Sequence, residues 1–270
     1  MNRLTLTEWV WMLRHWRRVL VPPHALTSWR KTYIDWRRFW KSYRQYVELL
    51  SDVADPALVL SGTRGALLDH LYPCVEDATA TTQIEPIYFY QDAWAFGHIV
   101  KVQPPWHVDV GSHHKYVALL SKVVPVTMVD IRPLSLPLDT LDFREGSILD
   151  LPFKDGSVPS LSSLCVVEHI GLGRYGDPLD PQGTEKAITE LKRIVAPGGD
   201  LYVSVPLDDE TRTYFNAHRA FREDEFLALF EPFILMEIQY IYGCDFIGVK
   251  RPGFGTGCFW FRKPMPAASN

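Results

Sequence analysis

The sequence predicts an α/β protein with a mostly parallel sheet, helices on both faces, an antiparallel strand pair at one edge and a helical N-terminal extension. Three observations predict it. From Trp106 onward, apolar runs of strand length alternate with helical segments, the pattern of a parallel sheet. The last two runs, "FILMEIQYIY" and "GCFWFRK", have no helix between them and so pair antiparallel. The first fifty residues instead space their apolar side chains three and four apart, the period of an amphipathic helix.

The extension, residues 1–50, places Trp9, Met12, Leu13, Trp16, Val19 and Leu20 on one face of a first helix, which Pro22-Pro23 ends. A second helix gathers Trp29, Tyr33, Trp36, Phe39, Trp40, Tyr43 and Val47 on one stripe, with Arg30, Lys31, Arg37, Arg38, Lys41 and Arg44 on the other side. Ten Lys and Arg face three acids here, a balance of +7, so the remaining 220 residues carry −11 of the net −4. Two readings stand for this segment. Its stripes pack on the body with arginines in water, or they contact an anionic membrane surface or a partner such as a glycan-assembly enzyme, with Trp at headgroup level. Nucleic acid is not expected, because the body is acidic and no recognised module is visible.

Residues 51–105 read as a connecting layer, with a short helix near Ala66–Leu71 and a β-like "IYFY" at 87–90, broken by Gly62, Gly65 and Pro73. The main domain, 106–264, follows, and 265–270 is a tail. Within it "WHVDV" and "PVTMVD" read as strands around the helix "KYVALLSK", and "SLSSLCVV" as a further strand. The segment "TEKAITELKRIV" has Ala187, Ile188, Leu191, Ile194 and Val195 at helical spacing before Pro197-Gly198-Gly199. "LYVSVP" is a strand and "DEFLALF" a helix.

Composition sets outer bounds. A chain of 270 residues with 47% hydrophobic content buries a real core. Its four cysteines are far apart and form no C-x-x-C pair, which fits a reducing cytosol. No apolar run is long enough to span a bilayer, and the N-terminal residues do not read as a signal peptide. The expected location is therefore cytoplasmic, with peripheral attachment to the inner face of a membrane under the second reading of the extension. His107, His113 and His114 do not make a helical H-x-x-x-H pair and have no Cys beside them, so no metal is expected.

In a parallel sheet, ligands bind at the carboxyl ends of strands. Gly111 ends the first strand without a side chain, which lets backbone N–H groups approach a ligand. Asp130, 19 residues later, ends the second strand, where a carboxylate can accept both hydrogen bonds of a ribose diol. The competing reading of Asp130 is a solvated strand-end acid.

The succession "VDVGS", "VDIRP", "GSILDLPFKDGSV", "VVEHIG" and "ELKRIVAPGGDLYVSVP" resembles the class I S-adenosylmethionine-dependent methyltransferases over about residues 106–262. More narrowly, "SLCVVEHIGLGRYGDPLDPQG" and "FNAHR" resemble a poorly characterised branch of that superfamily known only as a domain of unknown function. The resemblance implies a Rossmann-like seven-stranded sheet and S-adenosyl-L-methionine as cofactor. It puts Asp109 and Gly111 near the amino acid moiety, Asp130 on the ribose, and the turn with Ser147 and Ile148 against the adenine, with Ser112 and His113 as further candidate cofactor-binding residues. The sequence departs from the Gly-x-Gly-x-Gly of related enzymes, because the run is Gly111-Ser112-His113-His114-Lys115. His113 is expected to turn its ring toward the pocket rim. Ser147 stands where many relatives have an Asp.

A hydroxyl acceptor needs its proton removed by a base within hydrogen-bond reach. The loop "EHIGLGRYGD" supplies His169 as the candidate base, with Glu168 or Asp177 to orient it. Arg174 and Tyr175 are candidate ligands of substrate oxygens, and His218 and Arg219 of "FNAHR" are placed to close the pocket. A packing role is the competing reading of Glu168-His169. The expected function is O-methylation of a saccharide or glycolipid-linked hydroxyl in surface polysaccharide synthesis. The alternatives are a catalytically inactive scaffold of the same fold, docked to a membrane or an enzyme partner, and a sugar-nucleotide-dependent transferase.

Overall fold

The structure, a computed structural model, describes residues 25–51, 72–75 and 77–266. The chain divides into two compact units, Met1–Gln83 and Ile84–Asn270. The first expected helix and the Ala66–Leu71 segment lie outside the described residues. The second expected helix is α1, Ala25–Ser51. Its aromatic side chains are mostly in solvent: Trp36 and Trp40 are each more than a third exposed and Tyr33 is over half exposed. They meet one another edge to face along the helix, Trp36 on Phe39, Phe39 on Trp40 and Trp40 on Tyr43. Asp35 is buried and pairs with Arg38 at 3.0 Å.

The second unit opens with α2, Pro86–Val102. The β-like reading of "IYFY" is corrected here, because those residues form the first turns of this helix. Pro86 sits where a helix needs no N–H, and the Glu85 side chain caps Ile87 N. Gln91, Trp94, Ala95 and Ile99 then share a buried face, and that longer period overrides a four-residue run of β-formers.

Strand β1 (His107–Val110), helix α3 (His114–Leu120), strands β2 (Val126–Asp130), β3 (Leu141–Glu145) and β4 (Val158–Leu164), helix α4 (Gly183–Ile194) and strand β5 (Val195–Leu207) follow. A small ribbon of β6 (Arg212–Tyr214) and β7 (His218–Ala220) precedes α5 (Glu223–Ala228), β8 (Ile234–Tyr242), β9 (Asp245–Ile247) and β10 (Gly255–Arg262). The main sheet runs β3-β2-β1-β4-β5-β10-β8-β9. Its first five strands are parallel, and β10 is antiparallel to both β5 and β8. The expected antiparallel pair is therefore present, with β9 added as an eighth, outermost strand on β8. Reading the residues alone misses β3, whose "LDFRE" alternates only weakly and is half-exposed.

Alternation along β5 shows how the two faces are covered. Leu201, Val203 and Val205 join Ala187, Ile188 and Leu191 of α4. Tyr202, pointing the other way, joins Trp94 and Ile99 of α2 and Tyr116, Val117 and Leu120 of α3. All four residues of β1 are buried, as a central strand covered on both faces requires. His107 on that strand is fully buried between Ser160 Oγ and Ser162 Oγ, each 2.8 Å from a ring nitrogen.

Candidate active site

The strand order reverses between β1 and β4, and a cleft of about 310 Å³ opens at their carboxyl ends, where parallel sheets bind ligands. Gly111, Ser112, His113, Asp130, Ile148, His169 and Tyr175 line it. Gly111 adopts φ +71, and a Cβ there would meet Val166 Cγ1 at 3.1 Å, so both conformation and space call for glycine. Its N–H donates to Val129 O of the neighbouring strand at 2.9 Å.

Asp109 is buried and does not line the cleft. It accepts Ser112 N–H at 3.0 Å and Ser162 Oγ–H at 2.6 Å, and burial raises its pKa to about 6. The carboxylate thus shapes the turn that Gly111 begins rather than facing a ligand. Ser112 is likewise committed, its hydroxyl accepting Leu164 N–H at 2.9 Å. Asp130 uses one oxygen to accept Arg132 N–H at 2.8 Å. Ser147 stays off the cleft lining, its hydroxyl accepting Leu149 N–H at 3.1 Å, while its neighbours Gly146 and Ile148 form that wall. His113 caps α3 with extended backbone. Its ring lies 5.1 Å from that of Tyr88 and 4.5 Å from that of His114.

The loop after β4 is built by its glycines and one acid. Gly171 takes φ +80, and a Cβ there would run into Asp180 O at 2.0 Å. Asp177 accepts the N–H groups of Gly171 and Tyr175 at 2.7 and 3.2 Å. It therefore holds the loop and does not orient His169, which corrects the expected role. Arg219 is corrected too. It is buried and donates to Ile170 O at 2.7 Å and to Thr184 Oγ1 at 3.1 Å, which clamps this loop to α4 and leaves it no face toward a substrate.

His169 Nδ1 lies 2.6 Å from Ala217 O and Nε2 lies 3.5 Å from Glu168 Oε1. Burial lowers the His169 pKa to about 4 and raises that of Glu168 to about 8. At neutral pH the pair is therefore a neutral imidazole beside a neutral carboxylic acid, not an ion pair. Among the described residues Glu168 Oε2 is buried without a hydrogen-bond partner. Arg174 donates to Ala217 O at 3.1 Å and lies over the Tyr175 ring at 5.1 Å. His218 is not part of the cleft lining. It lies between the rings of Tyr214 and Phe254, tilted against both, on the β6–β7 side.

Tyr88, Arg132 and Cys165 are among the lining residues that escaped the sequence reading. Tyr88 comes from α2, and Arg132 stands over the Tyr175 ring at 4.5 Å. Cys165 has φ +52 and donates from Sγ to the buried Gln91 at 3.1 Å. The signal for Tyr88 was the helical spacing Tyr88, Gln91, Ala95 behind Glu85-Pro86. Nothing local marks Arg132 or Cys165, because their roles depend on neighbours distant in sequence.

The sheet order, with its antiparallel strand inserted between β5 and β8, decides the fold. This is a Rossmann-like fold. A family model described as "Caenorhabditis protein of unknown function, DUF268" matches residues 156–238, the segment that carries β4, the Glu168–Asp180 loop, α4 and the β6–β7 ribbon. No curated protein matches the chain. Among solved structures, this chain is similar to a Burkholderia thailandensis 1,6-didemethyltoxoflavin-N1-methyltransferase with bound 1,6-didemethyltoxoflavin and S-adenosylhomocysteine, at 17% identity and TM-score 0.49, over 65% of this chain and 79% of that one. It is similar to the N-methyltransferase NodS of Bradyrhizobium japonicum WM9 in complex with S-adenosyl-l-homocysteine, at 14% identity and TM-score 0.49, over 67% and 89%. It is also similar to the [4+2]-cyclase SpnF, at 13% identity and TM-score 0.48, over 64% and 82%.

Proposed function

We propose that the cleft binds S-adenosyl-L-methionine and that the protein methylates a saccharide or glycolipid-linked hydroxyl in surface polysaccharide synthesis. The observation that carries this reading is the pairing of Gly111 and Asp130 at adjoining strand ends of one cleft. Gly111 makes the left-handed turn at the end of β1 tight against Val166, at the wall of that cleft. The Asp130 oxygen that does not accept Arg132 N–H remains for a ribose diol. The cofactor supplies an electrophilic methyl group. The chain's part is to hold the acceptor in line and to take its proton. His169 is the candidate acceptor of that proton, being neutral with its lone pair on Nε2. Calorimetry of the intact protein with S-adenosylhomocysteine tests the reading: saturable one-to-one heat supports it, and no heat at millimolar ligand overturns it.

One observation favours a second reading, an inactive scaffold of the same fold. Both His169 nitrogens already face protein groups, Ala217 O and Glu168. Cofactor binding without turnover on any glycan acceptor would support it.

We also infer that α1 rests on an anionic bilayer at the cytoplasmic face of a membrane. Its Trp36 and Trp40 are exposed, and Arg37, Lys41 and Arg44 are exposed on the same helix, the combination that lies at a headgroup boundary. Among the described residues no helix is long and apolar enough to cross a membrane. Vesicles containing phosphatidylserine should carry the full chain upward in flotation at low salt and release it at high salt. Equal flotation with neutral vesicles, or none with either, would remove this reading.

A further inference from the structure

The mouth of the cleft holds two arginines that a neutral sugar would not need. The lining pairs its one carboxylate, Asp130, with Arg132, and Arg174 stands beside Tyr175 of the same lining. Arg132 and Arg174 both gather on one ring, with their guanidinium carbons 4.5 and 5.1 Å from the centroid of Tyr175. Two cations that share one ring raise the local positive potential, which favours an anion beside it. Of the acids nearby, only Asp130 pairs with either arginine, and it pairs with Arg132. Asp177 is occupied by backbone N–H groups, and Glu168 is buried against His169. Arg132 reaches Asp130 only at 3.5 Å, and among the described residues Arg174 has no carboxylate partner within 4.0 Å. Meanwhile Ala217 O fixes the Arg174 guanidinium through one nitrogen at 3.1 Å. The remaining donors of a planar fork suited to oxyanions are left for another partner.

We propose that Arg132 and Arg174, gathered on Tyr175 at the cleft mouth, form a subsite for an oxyanion, phosphate or carboxylate, carried by the acceptor. This rests on the reading of the cleft as a methyl-transfer site and narrows it. The acceptor is an anionic glycan or a phosphate-linked one, and its charge anchors it beside His169. The positive field of Arg174 also reaches His169 and His218, where it contributes to holding both imidazoles neutral.

The test titrates the intact protein with inorganic pyrophosphate, and separately with glucuronate, with and without saturating S-adenosylhomocysteine at constant ionic strength. The expected result is binding of at least one of these probes that weakens as salt rises. Arg174→Gln should cost at least tenfold, and Arg174→Lys should recover part of the loss. Arg251→Gln, at a distant surface ion pair with Asp245, should match the natural chain. The pyrophosphate and glucuronate arms separate a phosphate from a carboxylate as the recognised group. No binding of either probe overturns the subsite, and so does binding that Arg174→Gln leaves unchanged. A loss of S-adenosylhomocysteine affinity equal to the loss of probe affinity also overturns it, since the guanidinium groups would then serve the cofactor's own carboxylate. If S-adenosylhomocysteine fails to bind at all, the cofactor reading falls, while the titration without it still decides the anion site.

Discussion

The Nδ1 of His169 lies 2.6 Å from the carbonyl oxygen of Ala217. A carbonyl only accepts, so the imidazole carries its proton on Nδ1 and presents a lone pair at Nε2. Arg174 Nη1 also lies 3.4 Å from Nδ1, but an arginine cannot accept, and its shorter contact is with the same carbonyl at 3.1 Å. The contact ties the end of the fourth strand to the β6–β7 ribbon, and it sets the tautomer of the candidate base.

His169 should therefore not titrate near neutrality. Its pKa of about 4 follows from burial, with the Arg174 charge adding to it against the bond to Ala217. Imidazole nitrogen NMR should show a neutral ring protonated at Nδ1 from pH 8 to pH 5. A midpoint near 6.5 would show that the ring is solvated and free of Ala217.

Glu168→Gln should be tolerated and should flatten part of the pH dependence of stability. The folded carboxyl is raised to about 8 from 4.5. Between those values the folded state keeps a proton that the unfolded chain has lost. Stability contributed by this group therefore falls as pH rises from about 4.5 to about 8. Gln stays neutral throughout, so the variant should gain on the natural chain across that window, on the order of a few kcal/mol at its upper end. Melting temperatures of the two proteins from pH 5 to 9 check it, and parallel curves would contradict the buried neutral acid.

Asp130→Ala should weaken S-adenosylmethionine binding by about 1.5–3 kcal/mol, the range for a hydrogen bond to a charged group. Gly111→Val should abolish binding, because its Cβ would press on Val166 and its φ is left-handed. His113→Gly should stay within about tenfold, roughly 1.4 kcal/mol, since its ring leans on Tyr88 and His114. Calorimetry on folded variants reads all three. If His113→Gly creates binding that the natural chain lacks, the histidine is a plug and the scaffold reading stands.

His107→Ala should lower stability by about 2–4 kcal/mol, because it opens a void and strips partners from Ser160 and Ser162. Burial holds the His107 pKa at about 3 against 6.5 unfolded. Below about pH 6.5 the unfolded chain gains a proton that the folded one refuses, so this residue's contribution is lost as pH falls toward 3. Denaturant titrations at pH 7.5 and 5 should show a smaller penalty for the variant at the lower pH.

Much of the fold was legible because apolar periodicity reports which faces must be buried. The strands flanking Gly111, the α4 stripe from Ala187 to Ile194 and the unlinked final strands all carried that signal. Where local composition misled, as at Ile87–Tyr90, the cap at Glu85 and the longer helical period decided the outcome. Strand β3 was illegible because, lying at the sheet edge with exposed side chains, it is under weak pressure to be apolar.

For the site, the sequence by itself determined Gly111 and Asp130, since a small residue and an acid at two strand ends follow from strand spacing alone. It also determined that the loop from Glu168 to Asp177 lies beside them. Only the tertiary structure decided what each loop side chain does. Arg219 and Asp177 read as site residues, yet backbone groups far along the chain or folded back upon them take their hydrogen bonds. Arg132 read as nothing and stands at the mouth because Tyr175, 43 residues later, comes to rest beneath its guanidinium. The physical reason is that a hydrogen-bonding group's role is fixed by whichever partner reaches it first in three dimensions, and sequence spacing does not record that distance.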